Sequence, residues 1–523
     1  MAIETQVAAG KVVSINPATG EVLREFESAS TAEVQATVAH ARAAQPAWQA
    51  MDASKRLAII AKFQQLLSER KQQVARVITS EAGKPVAEAL LTEILVVLDA
   101  ARFLMQETYG FLREQPLAHG NLATKAKSGR LIRQPYGVIG IISPWNYPFS
   151  IPATETLAAL ATGNAVVLKP SELTPLSALE LASLLHDAGL PEGVFQVVIG
   201  EGAAGAALVE SGIGKLIFTG SVATGRRIAQ TAAARLLPVV LELGGKDPMI
   251  VLDDADVDVA SSGAVWGAFV NAGQACLSVE RCYVHRSIYD SFISTCVEKT
   301  KRLRVGNGAD PSTDVGPPIR ERQLHTVEQH VEDACSHGAR VMTGGERLTS
   351  LGSNYYAPTV LADVSHDMLI MREETFGPLL PIMPFDTDAE AIRLANDSEY
   401  GLAASVWTRD RSRGEKIARQ INAGTVMVND AVSCFGISEA PHGGMKASGI
   451  GRTHGTFGLE EMVWTKYLDA DLLPRMKKPW WYGYGAGLAD AAAGFLDFQF
   501  ARGIGKRLKG GLRSLPLIRR PKL

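Results

Sequence analysis

Residues 136–145, YGVIGIISPW, open a run of short apolar segments, followed by NAVVLKP (164–170), VFQVVIG (194–200) and KLIFTGS (215–221). Each is bounded by Gly, Pro or Ser, and helical stretches separate the later ones. Short apolar runs of this kind read as buried strands, and their alternation with helices predicts a parallel α/β sheet. A second series, PMIVLDDAD (248–256), ERCYVHR (280–286), ASVWTRD (404–410) and TVMVND (425–430), predicts a second α/β region beginning near 245. Upstream, AEVQATVAHARAAQPAW (32–48) and KRLAIIAKFQQLLSERKQQVARVI (55–78) place apolar residues three and four apart, which predicts helices over residues 30–115.

A chain of 523 residues is too long for one hydrophobic core, so two or three domains are expected. Its net charge of −2 gives no electrostatic reason to bind nucleic acid. Five cysteines, odd in number and without a CxxC pair, argue against a disulfide scaffold and for a reducing compartment. The N-terminal MAIETQVAAG has an early Glu and no apolar core, unlike a secretory signal. The run LTEILVVLDAARFLM (91–105) is broken by Glu93 and Asp99 and reads as a buried amphipathic helix, too short to span a bilayer. A cytoplasmic protein is expected.

Two cysteines share NAGQACLSVERCYV, residues 271–284. Neither has a Cys or His at zinc-ligand spacing, which argues against a metal clip. Cys282 alternates with Val284 along one strand face and reads as core. Cys276 follows Gly273, a residue suited to a turn or a close backbone approach, and stands between a helix and a strand. Thiolate chemistry at a carbonyl needs an oxyanion donor and a base for water. Asn146, at a strand end before Pro148, is a candidate donor, with an ordinary turn residue as the alternative. Glu242, between Leu241 and Leu243, is a candidate base because apolar surroundings raise a carboxyl pKa; a capping or salt-bridged Glu is the alternative.

Taken together, the segments SPWNYPF (143–149), VVLKPSELTPL (166–176), FTGSVATGRRIA (218–229), LELGGKDPMIV (241–251), NAGQACLSVER (271–281), EETFGPLLPI (373–382), GLAASVWTRD (401–410), GTVMVND (424–430) and PHGGMKASGIGR (441–452) resemble the NAD(P)-dependent aldehyde dehydrogenase family. The resemblance runs in order from about Asn16 to about Tyr467. It implies an α/β fold with a Rossmann-type cofactor domain (1–114 and 133–243), a catalytic domain (244–440) and a β oligomerisation element (115–132 and 441–473). It further implies that Cys276 attacks the aldehyde carbon, that Asn146 and the Cys276 N–H hold the oxyanion, and that Glu242 activates the water that hydrolyses the thioester. Cofactor contacts are implied at Trp145, Lys169, Glu172, Gly220, Ser221, Gly225, Glu374 and Phe376. A carboxylate at Glu172 would repel a 2′-phosphate, so NAD is expected, with NADP as the alternative. A homo-oligomer, dimer or tetramer, is implied.

Two departures stand out. GRTHG (451–455) has Thr453 and His454 where many relatives carry an acidic residue; a surface histidine is expected, with a proton-relay role as the alternative. The extension 474–523 lies beyond the family pattern, and residues 502–523 hold eight Lys or Arg and no acid. With Trp480, Trp481, Tyr482 and Tyr484 it suits peripheral contact with a membrane; the alternative is that the aromatics pack on the body or a neighbouring subunit and the basic end is a solvated tail. The 473–485 run, LPRMKKPWWYGYG, resembles carotenoid dialdehyde dehydrogenases. An apolar, aliphatic or terpenoid aldehyde is therefore the expected substrate. Succinate semialdehyde or another small aldehyde, CoA acylation and a non-catalytic role are the alternatives.

Overall fold

The computed structural model describes residues 10–478 and 480–517. The start of the N-terminal stretch (1–9) and the last six residues of the basic tail (518–523) lie outside the described residues. Two compact units emerge, one formed by residues up to 111 with 135–464, the other by 112–134 with 465–523.

Both predicted sheets are present in the first unit. The smaller has six strands in the order Gly449–Ile450, Val239–Glu242, Lys215–Thr219, Val138–Ile142, Ala165–Lys169, Phe195–Val197. All pair in parallel except the edge strand Gly449–Ile450. The chain begins this sheet at Val138–Ile142, builds outward through Phe195–Val197, then returns to the other side with Lys215–Thr219. That reversal is a topological switch point, and crevices for ligands open there at the carboxyl ends of the strands. The turn Ser143–Asn146 leaves one of these two central strands and Gly220–Ser221 leaves the other.

The larger sheet has seven strands in the order Arg340–Thr343, Thr359–Ala362, Leu379–Phe385, Val279–His285, Asp247–Val251, Ala403–Trp407, Thr425–Val428. Its central strands are buried on both faces. Cys282 and Val284 point into one core cluster with Met249 and Val251, and Tyr283 into the other, as the period of two requires. Cys282 is core.

The helices expected between 30 and 115 are found at Thr31–Ala50, Ala53–Ala82 and Leu95–Leu112. Ser30 and Glu33 cap the first reciprocally. The run starting at Leu91 is less regular than its apolar pattern suggests. Ala89–Ile94 forms a π-helical turn, a widening that turns Glu93 inward. The antiparallel hairpin Lys11–Ile15 with Val22–Glu27 is an element that the sequence reading did not anticipate.

The second unit carries a three-stranded sheet in the order Val463–Asp471, Lys127–Pro135, Gln115–Leu117, and a helical hairpin, Leu488–Phe500 and Ile504–Ser514. Residues 441–473, expected as one oligomerisation element, therefore divide. Gly449 and Ile450 pair with Glu242 and Leu241, so this part of the segment completes the sheet that presents Glu242. Only the strand from Val463 belongs with the three-stranded sheet. Among the described residues no helix is long and apolar enough to cross a membrane.

Candidate active site

Cys276 lies in the turn between helix Val257–Phe269 and strand Val279–His285. Three consecutive left-handed residues precede it: Asn271 (φ 53°), Ala272 (φ 55°) and Gly273 (φ 73°). Left-handed backbone is costly for residues with a Cβ, and it persists only where surroundings enforce it. Here the Asn271 N–H donates to Glu88 Oε2 (3.0 Å), and its side-chain amide donates to the carbonyls of Asn146 (2.9 Å) and Gln274 (3.1 Å). Gln274 returns a bond to the Asn271 carbonyl (2.9 Å) and accepts from Ile319 N–H (2.9 Å). A Cβ on Gly273 would collide with the Gly377 carbonyl, so this position accepts glycine alone.

Asn146 is buried, and its amide Nδ2 donates to the Gln274 carbonyl at 3.0 Å. That bond fixes the amide and leaves its second hydrogen for a ligand. The turn bearing it is pinned from behind by a charge pair that sequence reasoning missed. Lys84 Nζ donates to Glu93 Oε1 (2.7 Å) and to the Asn146 carbonyl (2.8 Å), and lies 3.9 Å from the centre of the Tyr147 ring. Glu93 Oε2 accepts from Phe149 and Ser150 N–H (2.8 and 3.0 Å). The Glu93 that interrupts an apolar run was the visible signal.

Glu242 ends its strand buried, and neither carboxyl oxygen has a hydrogen-bond partner among the described residues. Burial first, and the nearby Glu155 carboxyl second, hold its pKa well above the usual carboxylate range. Glu155, unremarked in the sequence, is itself pushed up to about 8 by burial and accepts from Thr219 Oγ1 at 3.4 Å. His442 Nε2 stands 4.0 Å from Glu242. His454, expected at the surface, is instead only partly exposed, with its ring 4.6 Å from that of Phe435 and 5.8 Å from that of His442. The left-handed backbone at His454 (φ 62°) turns it inward. Burial depresses both histidines, to about 3 for His442 and about 4 for His454. Glu155, Glu242, His442, His454 and Cys276 line one small cavity. The Cys276 thiol is raised well above its ordinary value, by burial and then by the carboxyls of Asp247, Glu374 and Glu242. Burial thus favours the neutral forms of the thiol, the two carboxyls and the two histidines.

Cys276 also borders two larger spaces. One is a cleft of about 580 Å³ at the sheet's switch point, lined by Trp145, Asn146, Gly220, Ser221, Glu242, Glu374 and Phe376 among others. Ser221 caps helix Val222–Ala233, whose first-turn residues Ala223 and Thr224 face the cleft, as helix N-termini that receive phosphates do. Arg227, Arg320 and Arg322 add positive charge, and Arg320 Nε is buried without a hydrogen-bond partner among the described residues. Glu374 accepts from Gly245 N–H at 3.1 Å, while Trp145 and Phe376 meet edge to face at 5.4 Å. Phe376 is held in left-handed backbone (φ 54°) because its N–H and that of Thr375 donate to Glu280, which is paired with buried Lys246. A helix N-terminus, orphaned cationic nitrogen and a flat aromatic wall fit a dinucleotide. Three predicted contacts lie elsewhere. Gly225 does not line the cleft; its missing side chain makes room for Leu243. Lys169 and Glu172 pair with each other at 3.4 Å, also off the lining of this cleft.

The other space, about 460 Å³, is bounded by Leu91, Leu95, Tyr147, Trp266, Phe435 and Ile437 around Cys276. Asp430 is its sole charged lining residue.

Comparison with known proteins agrees with this geometry. The profile of the aldehyde dehydrogenase family matches residues 5–468. The 4,4'-diapolycopene aldehyde oxidase of a Methylomonas species is 40% identical over 94% of this chain and 91% of its own. A putative NADP(+) succinate-semialdehyde dehydrogenase of Mycolicibacterium smegmatis is 42% identical over 84% of this chain and 85% of its own. The NAD+ complex structure of aldehyde dehydrogenase from Bacillus cereus superposes with a TM-score of 0.85, 37% identity, 88% of this chain and 93% of that one.

The Lys84 pair gives a test of how the site is held. Lys84→Met leaves the Glu93 carboxylate buried and unpaired, which costs about 3–5 kcal/mol. A lowered thermal midpoint and a loss of activity in the fraction still folded are expected. An unchanged midpoint would show that the pair does not hold the turn.

Proposed function

The chain belongs to the aldehyde dehydrogenase family, and from that premise we propose that it oxidises an apolar aldehyde, aliphatic or terpenoid, with Cys276 as nucleophile. The enzyme converts an aldehyde to the carboxylic acid and uses NAD(P). The single observation that carries the substrate reading is the lining of the 460 Å³ cavity beside Cys276. It offers aliphatic and aromatic side chains and no Lys or Arg to hold a substrate carboxylate. Burying an unpaired carboxylate there would be strongly unfavourable, whereas each buried methylene contributes about 0.8 kcal/mol.

The resting thiol is neutral, so its proton must leave as the sulfur attacks. Ionised Glu242 takes that proton. The Sγ–C bond forms and the carbonyl oxygen gains charge, held by the free Asn146 amide hydrogen and the Cys276 N–H, which has no acceptor among the described residues. The bound dinucleotide supplies the hydride acceptor; Trp145, Ser221, Arg320, Glu374 and Phe376 would hold it. Glu242 passes the thiol's proton to solvent and is ionised again; water then loses a proton to it and attacks the thioester carbon, the C–Sγ bond breaks, and the sulfur takes that proton back from Glu242 as the carboxylic acid leaves. A water-activating carboxyl is what hydrolysis needs and what CoA acylation does not. Glu172 is off the lining of the cleft but acts electrostatically on Arg320, which lines it, and a carboxylate so placed favours NAD over NADP in the same reading.

The same reading includes a homo-oligomer, dimer or tetramer, formed through the three-stranded sheet. Its support is the edge strand Val463–Asp471, where Trp464, Tyr467 and Leu468 are exposed.

Two measurements test the chemistry. Across unbranched aldehydes from acetaldehyde to hexadecanal, kcat/KM is expected to rise by up to about fourfold per methylene until the cavity is filled. Succinate semialdehyde should fall well below the apolar compounds, and the reverse order would overturn the substrate reading. Because the ionised form of Glu242 is the active one, kcat/KM should rise with pH along a limb lying above the ordinary carboxylate range. Glu155→Gln removes the neighbouring acid and should move that limb to lower pH, while Glu242→Gln should abolish both the limb and turnover. A Glu155→Gln profile superimposable on the wild type would separate the two carboxyls.

A further inference from the structure

The hairpin Leu488–Phe500 with Ile504–Ser514 is amphipathic the wrong way round for water. Its second helix packs through small residues: Gly510 lies against Gly494 with no room for a Cβ on either, and Ser514 is buried. Ile504, Leu508, Leu512 and Leu515 are 79, 62, 70 and 44% exposed. At about 100° per residue they occupy an arc of about 80°, roughly opposite Gly510. A helix folded for solvent alone would bury that stripe.

The charge around it is one-sided. Residues 502–517 contain Arg502, Lys506, Arg507, Lys509 and Arg513 and no acid. The acids of the first helix are consumed within the hairpin: Asp497 pairs with Lys506 (3.6 Å) and Arg513 (3.5 Å), and Asp490 pairs with Arg513. Arg502, Arg507 and Lys509 have no carboxylate partner among the described residues. Arg507 and Lys509 flank the apolar arc, each about 60° beyond its edge. In the same unit Trp480, Tyr482 and Phe500 are 44, 87 and 67% exposed.

We propose that this hairpin docks the enzyme on the surface of an anionic lipid bilayer. Ile504, Leu508, Leu512 and Leu515 enter the acyl boundary and Lys509 extends to headgroup phosphates, while Arg507, whose guanidinium donates to the Phe498 and Gln499 carbonyls, adds its charge at the rim. The bilayer is favoured over a second copy of the chain on charge. A two-fold contact would set the same cationic rim against itself, whereas anionic lipid satisfies rim and stripe together. The contact concerns where the enzyme sits and is independent of which aldehyde it oxidises.

Flotation of the full-length protein with vesicles tests this directly. Binding to phosphatidylcholine mixed with phosphatidylglycerol should exceed binding to phosphatidylcholine alone by about tenfold or more, and should weaken with added salt. Leu508→Asp with Leu512→Asp should lower the bound fraction about tenfold. Lys509→Glu with Arg502→Glu should remove the preference for the anionic vesicles. All four positions are exposed, so both variants should keep wild-type turnover of a short, water-soluble aldehyde, which confirms that they fold. No flotation, equal flotation on both vesicle types, or a double-Asp variant that floats like the wild type would overturn the proposal. A drop in solution mass for the double-Asp variant, with no lipid binding by the wild type, would assign the stripe to a second copy.

Discussion

One buried ammonium group holds the Asn146 turn in place. Lys84 has essentially no contact with solvent, and its charge is balanced by Glu93, by the Asn146 carbonyl and by the face of Tyr147. Burying such a pair brings little net stability, because desolvation offsets most of the attraction. Its effect is on conformation. The Glu93 carboxylate needs the Phe149 and Ser150 N–H groups, and the Lys84 ammonium needs the Asn146 carbonyl, so the turn after Val138–Ile142 has one satisfied arrangement. Asn271 bonds to the same Asn146 carbonyl. The donor turn and the thiol turn, far apart in the chain, are thereby set in one frame.

Electrostatics in that frame favour neutrality. Cys276, Glu242 and Glu155 all have raised pKa values, with burial as the leading cause in each case, and the two histidines are depressed for the same reason. A thiolate standing permanently in this site would be close to three carboxyl groups, those of Asp247, Glu374 and Glu242. The arrangement therefore suits a thiol that loses its proton only as it reacts. It also keeps one carboxyl of the Glu155 and Glu242 pair protonated, since two anions in so dry a cavity repel each other.

The sequence carried most of the fold because both sheets are central and, apart from one antiparallel edge strand in each, parallel. Their strands are buried on both faces, so they print as apolar runs that need no tertiary context to be read. The proposed catalytic trio was legible only jointly: Cys276, Asn146 and Glu242 each had an ordinary alternative, and the order of nine segments outweighed those alternatives. What stayed hidden depends on contacts between distant residues. Glu93 looked like an interruption of a helix and is the partner of Lys84. Glu280 looked like part of a strand end and fixes the left-handed Phe376. Arg227, Arg320 and Arg322 converge on the cleft from separate segments, and nothing local marks them. His454 was misplaced for a related reason, since its inward turn follows from a backbone conformation that non-glycine residues seldom adopt.

The position of Cys276 ties these observations to function. On one side is a cleft with a helix N-terminus and cationic groups, suited to a phosphate-bearing molecule; on the other is an apolar space with a single charged wall residue. A residue joining two such solvents has to project from a strand end without a side chain of its own turn filling either space. The left-handed sequence Asn271, Ala272, Gly273 achieves this by reversing the chain within three residues, and Gly273 makes the reversal against the Gly377 carbonyl. Strain at that point is compensated by the bond that the Asn271 N–H donates to Glu88 and the one its carbonyl accepts from Gln274. The reactive sulfur is thus delivered to the boundary by backbone geometry, and the different chemistry of the two walls determines which molecule approaches from which side.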